Sequence, residues 1–130
     1  MAPVTVLLAV ADPLREALLL RGLRRRDDIV VVGTQRHGRR ALQAILKAHP
    51  DVAVLDAGLP VLDGLQLCRQ LVHARPQVAT RVLLLDGDPP VTRELAVAAG
   101  AAGCVPATVS IAELTDAITS IANGGTIFHT

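Results

Sequence analysis

Val54–Gly64, VLDAGLPVLDG, is the stretch on which the reading of this chain turns. An apolar run ends in Asp56. A loop of small residues and a proline follow, and Asp63-Gly64 opens the next segment. The run is too short for a helix and rich in β-branched residues, which suits a strand buried on both faces. Asp56 would then stand at the carboxyl end of that strand. A carboxylate placed to accept phosphate needs a metal ion, and a metal ion needs further carboxylates.

Outward from this stretch the same unit repeats. Val4–Val10 reads as a first strand. Asp12-Pro13 supplies an N-cap and a first-turn proline, so a helix starts there. Leu14, Leu18 and the later leucines are expected on its apolar face. Arg24, Arg25 and Arg26 close it, where cations suit the helix dipole. Ile29–Gly33 is a second strand, and Arg39–His49 a second helix ended by Pro50. The third strand is Asp51–Asp56, and the helix after it runs from Asp63 to about Ala74. Arg81–Leu85 is a fourth strand, Asp86–Pro90 a polar turn, and Val91–Ala99 a short helix stopped by Gly100. Gly103–Pro106 is a fifth strand. Ser110 with Glu113 forms a capping box for a last helix to about Ala122, ended by Asn123-Gly124-Gly125.

Five strand–helix alternations imply an α/β fold, a doubly wound parallel sheet with helices on both faces. Sites in such folds lie at the carboxyl ends of the strands, near the point where strand order reverses. The residues there are Val10–Asp12, Asp56–Ala57, Asp86–Asp88 and Pro106–Thr108.

Composition agrees with one folded domain. The chain has 130 residues, 51% hydrophobic and 19% charged, with a net charge of +1. That balance speaks against a strongly electrostatic partner such as nucleic acid. There is one Phe and no Trp or Tyr, which removes stacking platforms for single-stranded nucleic acid. Cys68 and Cys104 lack metal spacing and read as reduced, buried thiols. His37, His49, His73 and His129 match no metal pattern. Arg21, Arg24, Arg25, Arg26, Arg36, Arg39 and Arg40 could form a basic patch, but Asp27 and Asp28 beside them favour solvated helix ends. The apolar N-terminal run is too short to cross a membrane and lacks a basic n-region, which places the protein in the cytoplasm. No nucleotide-binding or nucleophilic-triad pattern supports an independent enzyme.

The whole chain resembles the receiver domain of bacterial response regulators, in its NarL/LuxR flavour. LLAVADPLREAL, PDVAVLDAGLPVLDGLQLCRQL, TRVLLLD, AVAAGAAGCVPATVSIAEL and AITSIANGGTIF carry the resemblance. It implies one receiver-like domain over residues 1–130. It also implies a five-stranded flavodoxin-like sheet in the order 2-1-3-4-5. A working member would carry an acidic pair after the first strand, a phosphoacceptor aspartate after the third, a Ser or Thr after the fourth, and a lysine after the fifth.

Here the acceptor position is Asp56. The acidic pair falls on Val10 and Ala11, with Asp12 one place late. The hydroxyl position falls on Asp86, the lysine position on Ala107, and an aromatic common on the fifth strand is replaced by Cys104. No shift of register rescues the lysine, because Lys47 is the only one in the chain.

The site is therefore expected to be degenerate. Mg²⁺ binding should be weak or absent, since Val10 and Ala11 offer only backbone. Without metal and lysine the charge of a transferring phosphoryl group goes unneutralised. Asp86 would raise one of the two carboxyl pKa values and repel a phosphate. Two charges about 4 Å apart at an effective dielectric near 20 cost roughly 4 kcal/mol.

Three readings follow. The first is a phosphorylation-independent regulatory and dimerising domain of a transcription regulator. It pairs through its fourth helix, fifth strand and fifth helix. The second is a conventional metal-dependent phosphoacceptor at Asp56, with Asp12, Asp56, Asp86 and even Asp88 as a rearranged metal site; Asp88 reads more simply as a turn residue. The third is a sensor with a small molecule over Asp56, Ala57, Gly58, Asp86 and Ala107. The losses argue against a cognate histidine kinase. DNA contact would come only from a C-terminal helix-turn-helix beyond NGGTIFHT, the sequence being read as part of a longer chain rather than a stand-alone receiver.

Overall fold

The computed structural model describes residues 2–87 and 90–129. Five helices and six strands alternate: β1 (Val4–Ala9), α1 (Pro13–Leu23), β2 (Ile29–Gln35), α2 (Gly38–Ala48), β3 (Val52–Asp56), α3 (Gly64–His73), β4 (Arg81–Asp86), α4 (Arg93–Ala99), β5 (Gly103–Pro106), α5 (Ile111–Ala122) and β6 (Ile127–Phe128). The strands form one parallel sheet in the order β2-β1-β3-β4-β5-β6. The expected five-strand order stands, with one addition. The residues after Gly125 return to pair with β5, Gly103 opposite Ile127 and Cys104 opposite Phe128. β5 is therefore not the edge of the sheet. Two residues after a glycine turn have no period that sequence can register, and the pairing is set by a partner 24 positions upstream.

The sheet is buried on both faces because successive residues of the central strands point to opposite sides. Leu7, Leu55, Leu84 and Cys104 face α2, α3 and α4, where Ile45, Leu67 and Leu71 meet them. Leu8, Val54, Leu85 and Val105 face α1 and α5, where Leu19, Leu23, Leu114 and Ile118 meet them. Each fully buried Leu or Ile contributes about 1.5–3 kcal/mol relative to an exposed one.

Local signals set the helix starts. Asp12 accepts from the Leu14 amide and Pro13 holds the first helical position, as expected. A reciprocal capping box lies at Asp63 and Gln66. At Ser110 half of the expected box forms: the hydroxyl accepts from the Glu113 amide, and the Glu113 carboxylate accepts from that hydroxyl instead of from the backbone.

The inner face of α1 meets expectation in part: Leu14 and Leu18 are 68% and 57% exposed, while the later leucines Leu19 and Leu23 are buried. Leucine occupies 14, 18, 19, 20 and 23, so the run has no clear phase. Arg15 falls on the inward stripe, one turn before Leu19.

Candidate functional site

The carboxyl ends of β1, β3, β4 and β5 converge on one rim of the sheet. Asp56 is the last residue of β3, and its carboxylate is only 13% exposed. The loop after it is tightly held. Gly58 N–H approaches the Asp56 Oδ1 at 3.4 Å, and Gly64 N–H donates to Ala57 O at 3.0 Å. A Cβ on Gly64 would stand 2.7 Å from Asp56 O, so only glycine lets α3 start this close to the site. Gly38 N–H donates to Pro60 O, and a Cβ there would overlap the Leu62 carbonyl. The start of α2 thus buttresses the loop.

Val61, in the same loop, has φ 74° and is 71% exposed. A β-branched residue in this left-handed region is strained by about 1–3 kcal/mol.

The residues expected around Asp56 take up different work. Val10 is fully buried, and its N–H donates to Gln35 O at 3.1 Å. Ala11 has no side-chain ligand to offer. The Asp12 carboxylate caps α1 through Leu14 N–H at 3.1 Å. The Asp86 carboxylate accepts from Val91 N–H at 2.6 Å, tying the β4–α4 connection to the end of β4. Ala107 is joined to the same residue by backbone, its N–H donating to Asp86 O at 2.8 Å. Asp88 lies outside the described residues.

Asp12 and Asp86 each accept from a backbone N–H. Among the described residues no three His, Cys, Asp or Glu side chains stand close enough to share a metal ion.

What faces Asp56 is a cation that sequence reasoning overlooked. Arg15 Nη2 of α1 lies 3.6 Å from Asp56 Oδ2, with the Arg15 side chain 32% exposed. The expectation that the site had lost its positive charge is thus corrected. A guanidinium arrives from the first turn of α1, which begins at the rim where β1 ends. The signal was available. Arg15 stands three residues after the Asp12 cap and four before buried Leu19, on the stripe that faces the sheet. Its Nε and Nη2 have no hydrogen-bond partner, so the pairing is ionic rather than bidentate.

A depression that reaches Asp86, about 440 Å³, is lined by Pro90, Val91, Thr92, Arg93, Glu94 and Phe128. Asp56, Ala57, Gly58 and Ala107 do not line it. Arg93 covers the Phe128 ring at 5.5 Å, so the only aromatic of the chain ties β6 to α4.

Cys104, at the position where an aromatic was expected, is buried and register-paired with Phe128. Burial pushes the Cys104 thiol up to about 11, with Asp86 adding to the shift. Burial pushes the Cys68 thiol up to about 11 as well. Both are packing thiols with little thiolate at neutral pH.

Comparison with known proteins fits this geometry. Residues 6–119 match the family model described as the response regulator receiver domain. The chain is 35% identical over 102 residues to the uncharacterized transcriptional regulatory protein YvfU of Bacillus subtilis, covering 78% of this chain and 50% of that protein. It is 33% identical over 93 residues to the response regulator GacA of Pseudomonas viridiflava, covering 71% of this chain and 42% of that protein. A crystal structure of a two-component response regulator of the LuxR family from Aurantimonas superposes with a TM-score of 0.85. It shows 26% identity, over 97% of this chain and 89% of that one. The chain spans about half the length of the curated relatives it matches.

Proposed function

The chain belongs to the response regulator receiver domain family, and from that premise we propose that it is a regulatory domain working without phosphorylation. The observation that carries this reading is the ion pair between Arg15 and Asp56, 3.6 Å apart. A phosphoacceptor carboxylate needs a metal to neutralise the incoming phosphoryl oxygens. Here the carboxylate already has a fixed cation, and the positions that would share a metal with it hold Val10 and Ala11. Ala107 offers no ammonium for a phosphoryl oxygen. Asp86 offers a carboxylate where a hydroxyl donor would serve, and it is engaged by Val91.

Its place is in a cytoplasmic transcription regulator, whose DNA contact lies outside these 130 residues. The similarity to YvfU, a transcriptional regulatory protein, supports this setting. Among the described residues no helix is long and apolar enough to cross a membrane. The domain contributes regulation and self-association and has no catalytic machinery of its own.

A second reading, a small-molecule sensor, is favoured by the depression between Asp86, the start of α4 and Phe128. A ligand there would touch both ends of the β4–α4 connection and the β6 strand.

The deciding experiment is intact-mass spectrometry after incubation with acetyl phosphate and Mg²⁺. An unmodified mass for the wild type, equal to that of Asp56→Asn, is expected. An adduct that Asp56→Asn abolishes would restore the conventional phosphoacceptor reading.

A further inference from the structure

The two edges of the sheet are built differently. β6 is two residues long, and Arg93 covers its Phe128 ring. β2 is seven residues long, IVVVGTQ, with no charge and no proline to blunt it. Val4 N–H donates to Asp28 O at 2.8 Å, so in this parallel ladder the main-chain groups of Ile29 and Val31 point away from β1. No strand meets them among the described residues. A bulge leaves Val32 opposite no residue of β1. It divides the edge into short stretches, which permits brief pairing and discourages fibrils.

The surface beside this edge is apolar and basic. Ile29 and Val31 pack toward α1 and α5, so Val30 points to the α2 side, while Val32 stands in the bulge. Val30 and Val32 are both 43% exposed. A depression of about 500 Å³ lies between Gln35 at the end of β2 and Arg40, Gln43, Ala44 and Lys47 of α2. Residues 29–50 hold three arginines, one lysine and no acid. Arg40 and Lys47 are exposed and have no ion pair among the described residues. The acids of neighbouring segments are engaged: Glu16 by Arg36 at 3.0 Å, Asp28 by Arg26 at 2.9 Å, and Asp51 by the Thr5 amide at 2.9 Å. Asp27 is exposed just before the amino end of β2, at the opposite end from Gln35.

We propose that β2 accepts an extended acidic segment of a partner protein as an added strand. The main chain of the segment bonds to Ile29 and Val31. Its apolar side chains cover Val30 and Val32, and its carboxylates face Arg40 and Lys47. A second copy is the poorer occupant. A two-fold β2–β2 pairing sets both α2 helices on one face of the continued sheet, so their basic flanks meet, and like charges across an interface are unfavourable. Nucleic acid would use the cations but neither the open main chain nor the valines. The proposal goes beyond the phosphorylation-independent reading and does not depend on it.

Amide NMR of the ¹⁵N-labelled chain tests this with a peptide of alternating glutamate and valine, about eight residues long. Saturating shifts confined to β2 and α2 are expected, with slowed hydrogen exchange at the Ile29 and Val31 amides. N-methylation of the peptide's main-chain amides removes its donors and keeps its charge. Arg40→Glu/Lys47→Glu reverses the charge on α2, with circular dichroism to check the fold. Each change should weaken binding at least about tenfold. No saturable shift with millimolar peptide would overturn the proposal. Unchanged binding after N-methylation would overturn strand addition, and equal binding of a lysine–valine peptide would overturn recognition of acids. Shifts in β2 that grow with protein concentration alone would assign the edge to a second copy. A DNA duplex that binds Arg40 and Lys47 more tightly than the peptide would assign the face to nucleic acid. Either result would also overturn the proposal.

Discussion

Arg15 Nη2 lies 3.6 Å from Asp56 Oδ2, joining the first turn of α1 to the end of β3. The contact is partly screened, because the arginine side chain is 32% exposed. Partly exposed pairs of this kind are worth about 0.2–1 kcal/mol. A double-mutant cycle with Arg15→Ala and Asp56→Asn, followed by urea unfolding, should give a coupling energy in that range. A cycle that closes to zero would mean the two side chains are neighbours without interaction.

Asp86 should behave as a latch on the β4–α4 connection. Asp86→Ala leaves the Val91 N–H without its acceptor at 2.6 Å. The expected loss is about 1–3 kcal/mol, the cost of a partly buried unsatisfied amide. Hydrogen exchange at Val91 should accelerate. Asp86→Asn keeps a carbonyl acceptor and should lose much less. Equal losses in the two variants would show that the charge, and not the hydrogen bond, holds the loop.

Much of this architecture was legible because the central strands are apolar runs bounded by caps. Asp12-Pro13 started α1 where expected. The phase of α1 was not legible, because five leucines leave the helix apolar on several sides, and the structure turns Leu14 and Leu18 outward. That misreading hid Arg15, since its direction follows from the same phase. β6 escaped because its two residues carry no period and their partner is distant in sequence. That Val10, Ala11 and Ala107 carry no polar side chain was readable from residue type alone. The fate of Asp86 was not, because its acceptor role depends on where the Val91 amide points.

Val61→Gly should stabilise the domain. The native φ of 74° is costly for valine and free for glycine. Relief of strain worth about 1–3 kcal/mol is partly offset by the greater freedom of glycine in the unfolded chain. A net gain of about 1 kcal/mol in urea unfolding is expected. A loss would show that the exposed valine makes a compensating contact.

The two thiols make stability fall at alkaline pH. Both folded values, about 11, lie above the ordinary 9.0. The folded state therefore keeps protons that the unfolded chain releases between those values. Their contribution is complete below pH 9 and is lost as pH rises toward 11. Urea midpoints measured from neutral to alkaline pH should fall in that window, and Cys68→Ala/Cys104→Ala should flatten the decline. An unchanged slope in that variant would assign the effect to other groups. Ellman's reagent should react with neither thiol until the protein unfolds.

The central claim is that Asp56 no longer serves a metal-dependent phosphoryl site, and amide NMR tests it most directly. Uniformly ¹⁵N-labelled protein would be titrated with Mg²⁺ into the millimolar range and then with beryllofluoride. The account predicts spectra that stay unchanged around Asp56, Asp86 and Ala107 at both steps. Saturating shifts around Asp56 with Mg²⁺, spreading into α4 with beryllofluoride, would contradict it.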